Sequence, residues 1–199
     1  MSQLVIATGN PGKVAELRPL LDAAGLDLQL HTQHELGIDD AEETGSTFIE
    51  NALLKARHAA RASGLPALAD DSGLLVDALG GAPGLITAHY AGVHGDAAGN
   101  IAKLLRELEG VPDEARGAEF YSVIVLLRHA DDPRPLIAEG RWRGRILSAT
   151  QGEGGFGYDP VFFVPEQGCS AAQLPSALKN RISHRGQALA QLIDKLRTC

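Results

Sequence analysis

The chain begins with an apolar run at residues 4–7 that is followed at once by a glycine-rich polar turn. From residue 14 to residue 24 apolar positions recur at helical spacing, and Gly25 stands where a glycine commonly ends a helix. This pattern predicts a buried strand, a tight turn and an amphipathic helix. Residues 28–30 predict a second short strand.

The rest of the chain continues to alternate between strand and helix patterns. The capping box of Thr47 and Glu50 begins a helix that ends at Gly64, and residues 66–69 predict a strand. Asp96 caps a further helix, which is followed by paired antiparallel strands at 120–127 and 136–142. A strand at 161–163 and a last helix over about 186–196 complete the predicted elements. Interleaved helices and strands with one hairpin predict an α/β fold with a mixed central β-sheet flanked by helices. No repeat or linker interrupts residues 1–199, so we expect a single domain.

Composition narrows the classes of partner. The net charge of −7 argues against a nucleic-acid or membrane surface as partner, because both are polyanions. No apolar run approaches the roughly 20 residues that span a bilayer, and no leader pattern opens the chain, so we expect a cytoplasmic protein. Cys169 and Cys199 show no metal-ligand spacing and are interpreted as incidental.

The turn at residues 8–13 is the first candidate binding site. It consists of Thr8, Gly9, Asn10, Pro11, Gly12 and Lys13. A helix that begins behind a buried strand offers free backbone N–H groups to phosphate, and Lys13 adds a positive charge. The spacing differs from a P-loop, since Val14 stands where Ser or Thr would bind magnesium, which argues against a kinase or GTPase. The alternative is an ordinary strand-to-helix connection.

Carboxylates supply the second candidate. Asp70 and Asp71 follow the strand predicted at 66–69, and Mg²⁺ would relieve their repulsion while one of them deprotonates a water that attacks phosphorus. The alternative is a turn in which Asp71 or Ser72 caps the backbone. The acidic run at 39–43 supplies a further metal ligand or is a solvated loop.

Three segments offer groups for the rest of a nucleotide. Lys55 lies too far from Glu50 for an ideal intrahelical pair and is therefore available to a ligand. Phe156 is flanked by glycines that leave its ring accessible, as stacking on a purine requires, or it belongs to the core. Lys179 and Arg185 donate hydrogen bonds and accept none, which favours a base with keto oxygens.

Five blocks in order carry a resemblance to a known family. They are ATGNPGKVAEL at 7–17, EETGSTFIENALLKA at 42–56, ADDSGLLVDALGGAPG at 69–84, GEGGFGYDPVF at 152–162 and SHRGQAL at 183–189. With them the chain resembles the inosine/xanthosine triphosphate pyrophosphatase family, which hydrolyses deaminated purine nucleoside triphosphates to the monophosphate and pyrophosphate. The resemblance implies two lobes around an active-site cleft, a homodimer and a Mg²⁺ cofactor.

The resemblance also implies roles for particular residues. Asp71 would accept the proton of the attacking water and bind Mg²⁺ together with Glu42, while the turn at 8–13 and Lys55 hold the triphosphate. Ser72 would contact the substrate beside Asp71. Phe156 would stack on the base, and its edge would be contacted by Asp159, Lys179, Ser183, His184 and Arg185. Gly157 and Tyr158 would also bind the substrate.

The chain departs from the usual pattern of the family at two positions, and two other functions are compatible with parts of the sequence. The family usually carries Arg at His89 and often Glu at Gln173, and a neutral imidazole cannot reproduce a guanidinium fork. One rival is a Maf-like pyrophosphatase that acts on other nucleotides. The other is a sensor that binds triphosphates without hydrolysis, against which the retained carboxylates of Glu42, Asp70 and Asp71 argue.

Overall fold

The structure is a computed structural model that describes residues 3–198. Cys199 lies outside the described residues. These residues form seven strands: β1 (Gln3–Ile6), β2 (Gln29–Thr32), β3 (Ala67–Val76), β4 (Gly117–Leu127), β5 (Leu136–Ile146), β6 (Phe162–Val164) and β7 (Cys169–Ser170). The α-helices are α1 (Pro11–Ala23), α2 (Phe48–Ser63), α3 (Ala97–Glu107), α4 (Ser176–Ile182) and α5 (His184–Thr198).

The strands form one mixed sheet in the order β2-β1-β3-β4-β5-β6-β7. β1 is parallel to β2 and β3, whereas β6 is antiparallel to β5 and β7. The predicted α/β fold with a mixed sheet flanked by helices is confirmed. Among the described residues, no helix is long and apolar enough to cross a membrane.

The chain divides into two compact units. Unit 1 combines the segment that ends at Asp71 with residues 122–140 and the segment that begins at His184, and unit 2 holds residues 72–121 and 141–183. The boundaries between the units fall inside β3, β4 and β5, and between α4 and α5. The single domain of the sequence analysis stays a prediction.

Unit 1 has a core built from one face of its strands, against which α1 and α5 pack together. Its buried residues include Leu4, Ile6, Leu17, Leu68, Ile124, Leu126, Leu189 and Leu192. Unit 2 has a separate core with an aromatic centre, where the ring centroid of Phe162 lies 4.5 Å from that of Phe120 and 5.2 Å from that of Trp142. Each unit therefore buries apolar surface of its own.

Local signals placed several elements well. Thr47 caps α2 and Gly64 ends it in a left-handed conformation, and Asp96 caps α3, as predicted. The prediction that a strand ends at residue 69 is wrong, because β3 continues to Val76 and carries Asp70 and Asp71 within it. The helix α4 was not predicted.

Candidate active site

Asn10 begins α1 and caps it with its own side chain. Its Oδ1 atom accepts hydrogen bonds from the backbone N–H groups of Gly12 (2.9 Å) and Lys13 (3.3 Å). The strand-turn-helix pattern predicts N–H groups that are free for phosphate, and this prediction is wrong for Gly12 and Lys13 because the cap occupies both. The donors that the turn offers to an anion are then the side chains of Thr8, Asn10 and Lys13.

The parallel pairing of β1 and β3 brings this turn beside the aspartates. Ile6 pairs with Leu68, so Thr8 and Asp70, two residues further along, reach the same level of the sheet. Successive side chains of a strand point to opposite faces. Asp70 therefore lies on the face that carries Leu68 and the core of unit 1, and Asp71 lies on the other face.

Asp70 is the centre of a buried group of charges that we call the Asp70 cluster: Asp70, Lys13, Glu16, Ser122 and Arg185. Its carboxylate is fully buried and lies 2.9 Å from Lys13 Nζ and 3.1 Å from Arg185 Nη2. The Ser122 hydroxyl donates to Asp70 Oδ1, and Arg185 also pairs with the buried Glu16. Every oxygen of Asp70 thus has a charged or hydroxyl donor.

These partners determine the ionisation of Asp70. Burial would raise the pKa of the Asp70 carboxyl, but the charges of Arg185 and Lys13 lower it well below its ordinary value. For Lys13, burial lowers the pKa more than the Asp70 charge raises it. A carboxylate held so firmly in its charged form is a poor proton acceptor.

Asp71 belongs to a second group, the Asp71 cluster: Asp71, Lys55 and Glu43. Lys55 Nζ lies 2.7 Å from Asp71 Oδ1 and 3.0 Å from Glu43 Oε1. Asp71 is 6% exposed, while the Glu43 side chain is 43% exposed. The spacing of Lys55 from Glu50 predicts a lysine that is available to a ligand, and the structure instead pairs it with two carboxylates.

The pKa of Asp71 moves in the opposite direction from that of Asp70. Burial raises the pKa of the Asp71 carboxyl above its ordinary value, and the Lys55 charge opposes this only in part. The pKa of Lys55 is raised, because the carboxylates of Asp71 and Glu43 outweigh its burial. A raised carboxyl pKa suits a general base, so the opposite directions of the two pKa shifts favour Asp71 over Asp70 for this role.

The donor set of the Asp71 cluster fits magnesium. No group of three or more His, Cys, Asp or Glu side chains within residues 3–198 could hold a metal ion. Mg²⁺ needs only one or two protein carboxylates when substrate phosphates complete its shell, and Asp71 with a partly exposed glutamate meets that requirement. The predicted ligand Glu42 is exposed, and it is its neighbour Glu43 that contacts Lys55.

Unit 2 brings three of the predicted base-binding residues together. Phe156 is half-buried, with Lys179 Nζ 4.9 Å from its ring centroid. Asp159 pairs with Lys179 and accepts a hydrogen bond from the backbone N–H of Phe156 at 2.8 Å. Gly155 makes this possible, because its φ is +72° and a Cβ there would collide with the Asp159 carboxylate.

The other predicted residues of this segment have different surroundings. Tyr158 is buried in the core of unit 2, where its hydroxyl donates to the backbone oxygen of Thr87 at 3.0 Å. Ser183 is buried and ends α4. Its role toward a base stays a prediction, as do the substrate contacts of Gly157 and of the half-buried Ser72.

His184 and Arg185 open α5 and are both buried in unit 1. The guanidinium that was predicted to bind the base lies on the carboxylates of Asp70 and Glu16.

Two buried partners in the Asp70 cluster, Glu16 and Ser122, were not predicted, and Glu43 was predicted only as a member of the acidic run at 39–43. Glu16 had a detectable signal, since it lies four residues before Leu20 and thus at the edge of the apolar face of α1.

The two residues that depart from the family pattern, His89 and Gln173, both have neighbours in the structure. His89 is exposed and stacks on His94 with ring centroids 6.5 Å apart, and Gln173 accepts a hydrogen bond from the Ser170 N–H at 3.0 Å.

The sequence and the fold are similar to those of known proteins. The family model described as the Ham1 family matches residues 4–195. The dITP/XTP pyrophosphatase of Xanthomonas oryzae pv. oryzae is 61% identical over 196 residues, which is 98% of each chain. Among solved structures, a HAM1 protein from Coxiella burnetii is similar with a TM-score of 0.90 and 48% identity over 100% of both chains. A nucleoside-triphosphatase, dITP/XTP pyrophosphatase, from Mycobacterium abscessus has a TM-score of 0.74 and 41% identity, covering 96% of this chain and 98% of its own. The chain belongs to the Ham1 family.

Proposed function

We propose that this chain hydrolyses ITP, dITP and XTP to the nucleoside monophosphate and pyrophosphate, and so removes deaminated purines from the nucleotide pool. The observation that carries the proposal is the contrast between Asp71 and Asp70. It leaves Asp71, inside β3 and near the turn at 8–13, with a raised pKa beside Lys55. The names of the full-length relatives from Xanthomonas oryzae and Mycobacterium abscessus support it.

The chemistry follows from the charges of unit 1. Asp71 accepts the proton of the water that attacks phosphorus, and Lys55 holds that carboxylate in place at 2.7 Å. Lys13, Thr8 and Asn10 bind the triphosphate oxygens. Mg²⁺, held by Asp71 and Glu42 or Glu43, would supply charge neutralisation on the phosphates when bound.

Base selectivity follows from the polar pair of unit 2. Lys179 donates to a keto oxygen at position 6 of the purine, and Asp159 accepts from the N–H at position 1. Adenine offers neither group, because it carries an amino group at position 6 and a bare nitrogen at position 1. A base that makes neither of these hydrogen bonds gains less from the Lys179–Asp159 pair, which disfavours ATP. Guanine carries the same oxygen at position 6 and the same N–H at position 1, so this pair does not reject GTP, and the expectation for GTP rests on the family resemblance.

The proposal includes three expectations that rest on the family resemblance. The protein is a homodimer, it is cytoplasmic, and it acts on small nucleotides rather than on nucleic acids or membranes. Light scattering coupled to size exclusion tests the first of these, and a monomer at micromolar concentration would contradict it.

Pyrophosphate release tests the function directly. We expect magnesium-dependent release from ITP, dITP and XTP and little from ATP, GTP and dTTP, with chelator as the control. Release from dTTP alone would favour the Maf-like activity. Tight binding of ITP without release would favour the sensor.

Phe156→Leu tests the base-binding part. Removal of the ring should raise KM for ITP about tenfold, because base–aromatic stacking contributes about 1–3 kcal/mol. Phe163→Leu is the matched control, since Phe163 is also half-buried in unit 2 beneath a cation, with Arg145 Cζ 4.4 Å from its ring centroid. Equal effects of the two substitutions would remove Phe156 from the site.

A further inference from the structure

The acidic loop places one carboxylate directly on the turn at 8–13. A Cβ built on Gly9 would lie 2.5 Å from Asp40 Oδ1 and 2.6 Å from Oδ2. Only a glycine at position 9 allows the Asp40 side chain to lie this close. The contact brings a negative charge to the turn whose other side chains are donors for an anion.

The Asp40 carboxylate is held in this position by neighbouring groups. The buried Gln33 side chain donates to Asp40 Oδ1, and the backbone N–H of Gln33 is bonded to the Ile6 oxygen at the end of β1 at 3.1 Å. The backbone oxygen of the adjacent Asp39 accepts a hydrogen bond from His58 Nε2 on α2 at 2.9 Å. The loop is thus attached to both β1 and α2.

Asp40 differs from the other carboxylates near the turn in its partner. Asp70 and Asp71 each pair with lysine or arginine, whereas Asp40 forms no ion pair within residues 3–198 and takes a neutral amide instead. Within the described residues its charge is therefore not offset by an ion pair. An anion at the turn would experience that charge at short range, where opposition between like charges is significant even near a surface.

We propose that Asp40 is a specificity-determining residue that weakens the binding of free phosphate anions at residues 8–13, so that a phosphate ligand binds there together with a divalent cation. The inference rests on the proposed function for the identity of the ligand. It adds that the turn discriminates between a bare polyphosphate and its cation complex, and it assigns that discrimination to Asp40.

Calorimetric titration with inorganic pyrophosphate, with chelator and then with Mg²⁺, tests the proposal. Asp40→Asn keeps the size of the side chain and its oxygen for Gln33, and should bind metal-free pyrophosphate about tenfold more tightly than the native chain, which is about 1.4 kcal/mol. With Mg²⁺ present the gain should fall below about threefold. Asp39→Asn removes the same charge one residue away, where the backbone oxygen makes the anchor, and should change both affinities less than twofold.

The outcomes separate this proposal from the proposed function. Equal changes in Asp40→Asn and Asp39→Asn would overturn the role of Asp40, as would an unchanged metal-free affinity in both Asp40→Asn and Asp40→Ala while ITP turnover is normal. If the native chain releases no pyrophosphate from ITP and Asp40→Asn still binds pyrophosphate more tightly, the proposed function fails and the role of Asp40 holds.

Discussion

Asp70 and Asp71 are neighbours in β3, yet their side chains lie on opposite faces of the strand and in different surroundings. Asp70 contacts α1, α5 and Ser122, has no solvent exposure and has a lowered pKa. Asp71 forms an ion pair with Lys55, and its pKa is raised because burial outweighs the opposing charges of Lys55 and Lys13. The comparison shows that the number of charged partners, rather than burial alone, decides which carboxylate is able to accept a proton.

Asp71→Asn should produce the largest change in activity. Removing the proton acceptor is expected to lower kcat by about 10²–10⁴-fold, the usual contribution of a general base. Nucleotide affinity should change little, because Lys13 and Lys55 are retained. Steady-state pyrophosphate release and equilibrium binding of ITP measure the two quantities.

The stability of the same variant provides the control. Lys55 keeps Glu43 as a partner at 3.0 Å, so the free energy of unfolding should change by no more than about 1 kcal/mol. Full turnover in a folded Asp71→Asn chain would contradict the assignment and would transfer the role of proton acceptor to another group.

Asp70→Asn should produce the largest change in stability. The substitution leaves Arg185 and Lys13 buried without their shared counter-charge, which is expected to cost about 3–5 kcal/mol in urea unfolding at neutral pH. Asp132→Asn is a matched control, because Asp132 is also buried but its partner Arg128 is 55% exposed and can be hydrated. An Asp70→Asn chain no less stable than Asp132→Asn would mean that the Asp70 cluster does not stabilise the fold.

The sequence predicted those elements whose signals are local. The ends of α2 follow from Thr47, Glu50 and Gly64, which act within a few residues of the helix. The aspartates of β3 had no such signal, since adjacent aspartates are unfavourable in strands and indicate a turn. What keeps Asp70 in the strand are ion pairs with Lys13 and Arg185, 57 and 115 residues away in the chain.

The same limit applies to the candidate site. The chemistry of Asp71, Lys55 and Phe156 could be named from residue types and family blocks, because each block carries its own signal. The choice of Glu43 rather than Glu42 as the contact of Lys55 depends on how one loop meets α2. No pattern within the acidic run distinguishes two consecutive glutamates.

Lys55→Met should sharpen the difference between the two carboxylates. Without the opposing charge the pKa of Asp71 rises further, so the acidic limb of the kcat/KM profile should move up by about one pH unit. Lys55→Arg retains the charge and should leave the limb in place. An unshifted limb in Lys55→Met would show that the group responsible for it is not Asp71.

The pH dependence of stability should differ in sign between the two aspartates. The folded pKa of Asp70 lies below its unfolded value, so its stabilisation is present above about pH 4 and is lost as the pH falls through the folded pKa. As the pH falls below about 5, the native chain should therefore lose more free energy of unfolding than Asp70→Asn. This difference between the two chains should grow by at most about 1.4 kcal/mol per pH unit.

For Asp71 the sign is reversed. Its folded pKa lies above its unfolded value, so its stabilisation is present below the unfolded pKa and is lost as the pH rises through the folded one. Asp71→Asn should consequently show a steeper loss of stability on acidification than the native chain, where Asp70→Asn shows a shallower one. Urea unfolding at several pH values between about 3 and 6 measures both slopes. If both slopes change in the same direction, folding does not lower the pKa of Asp70 while raising that of Asp71, and the contrast between the two carboxylates is contradicted.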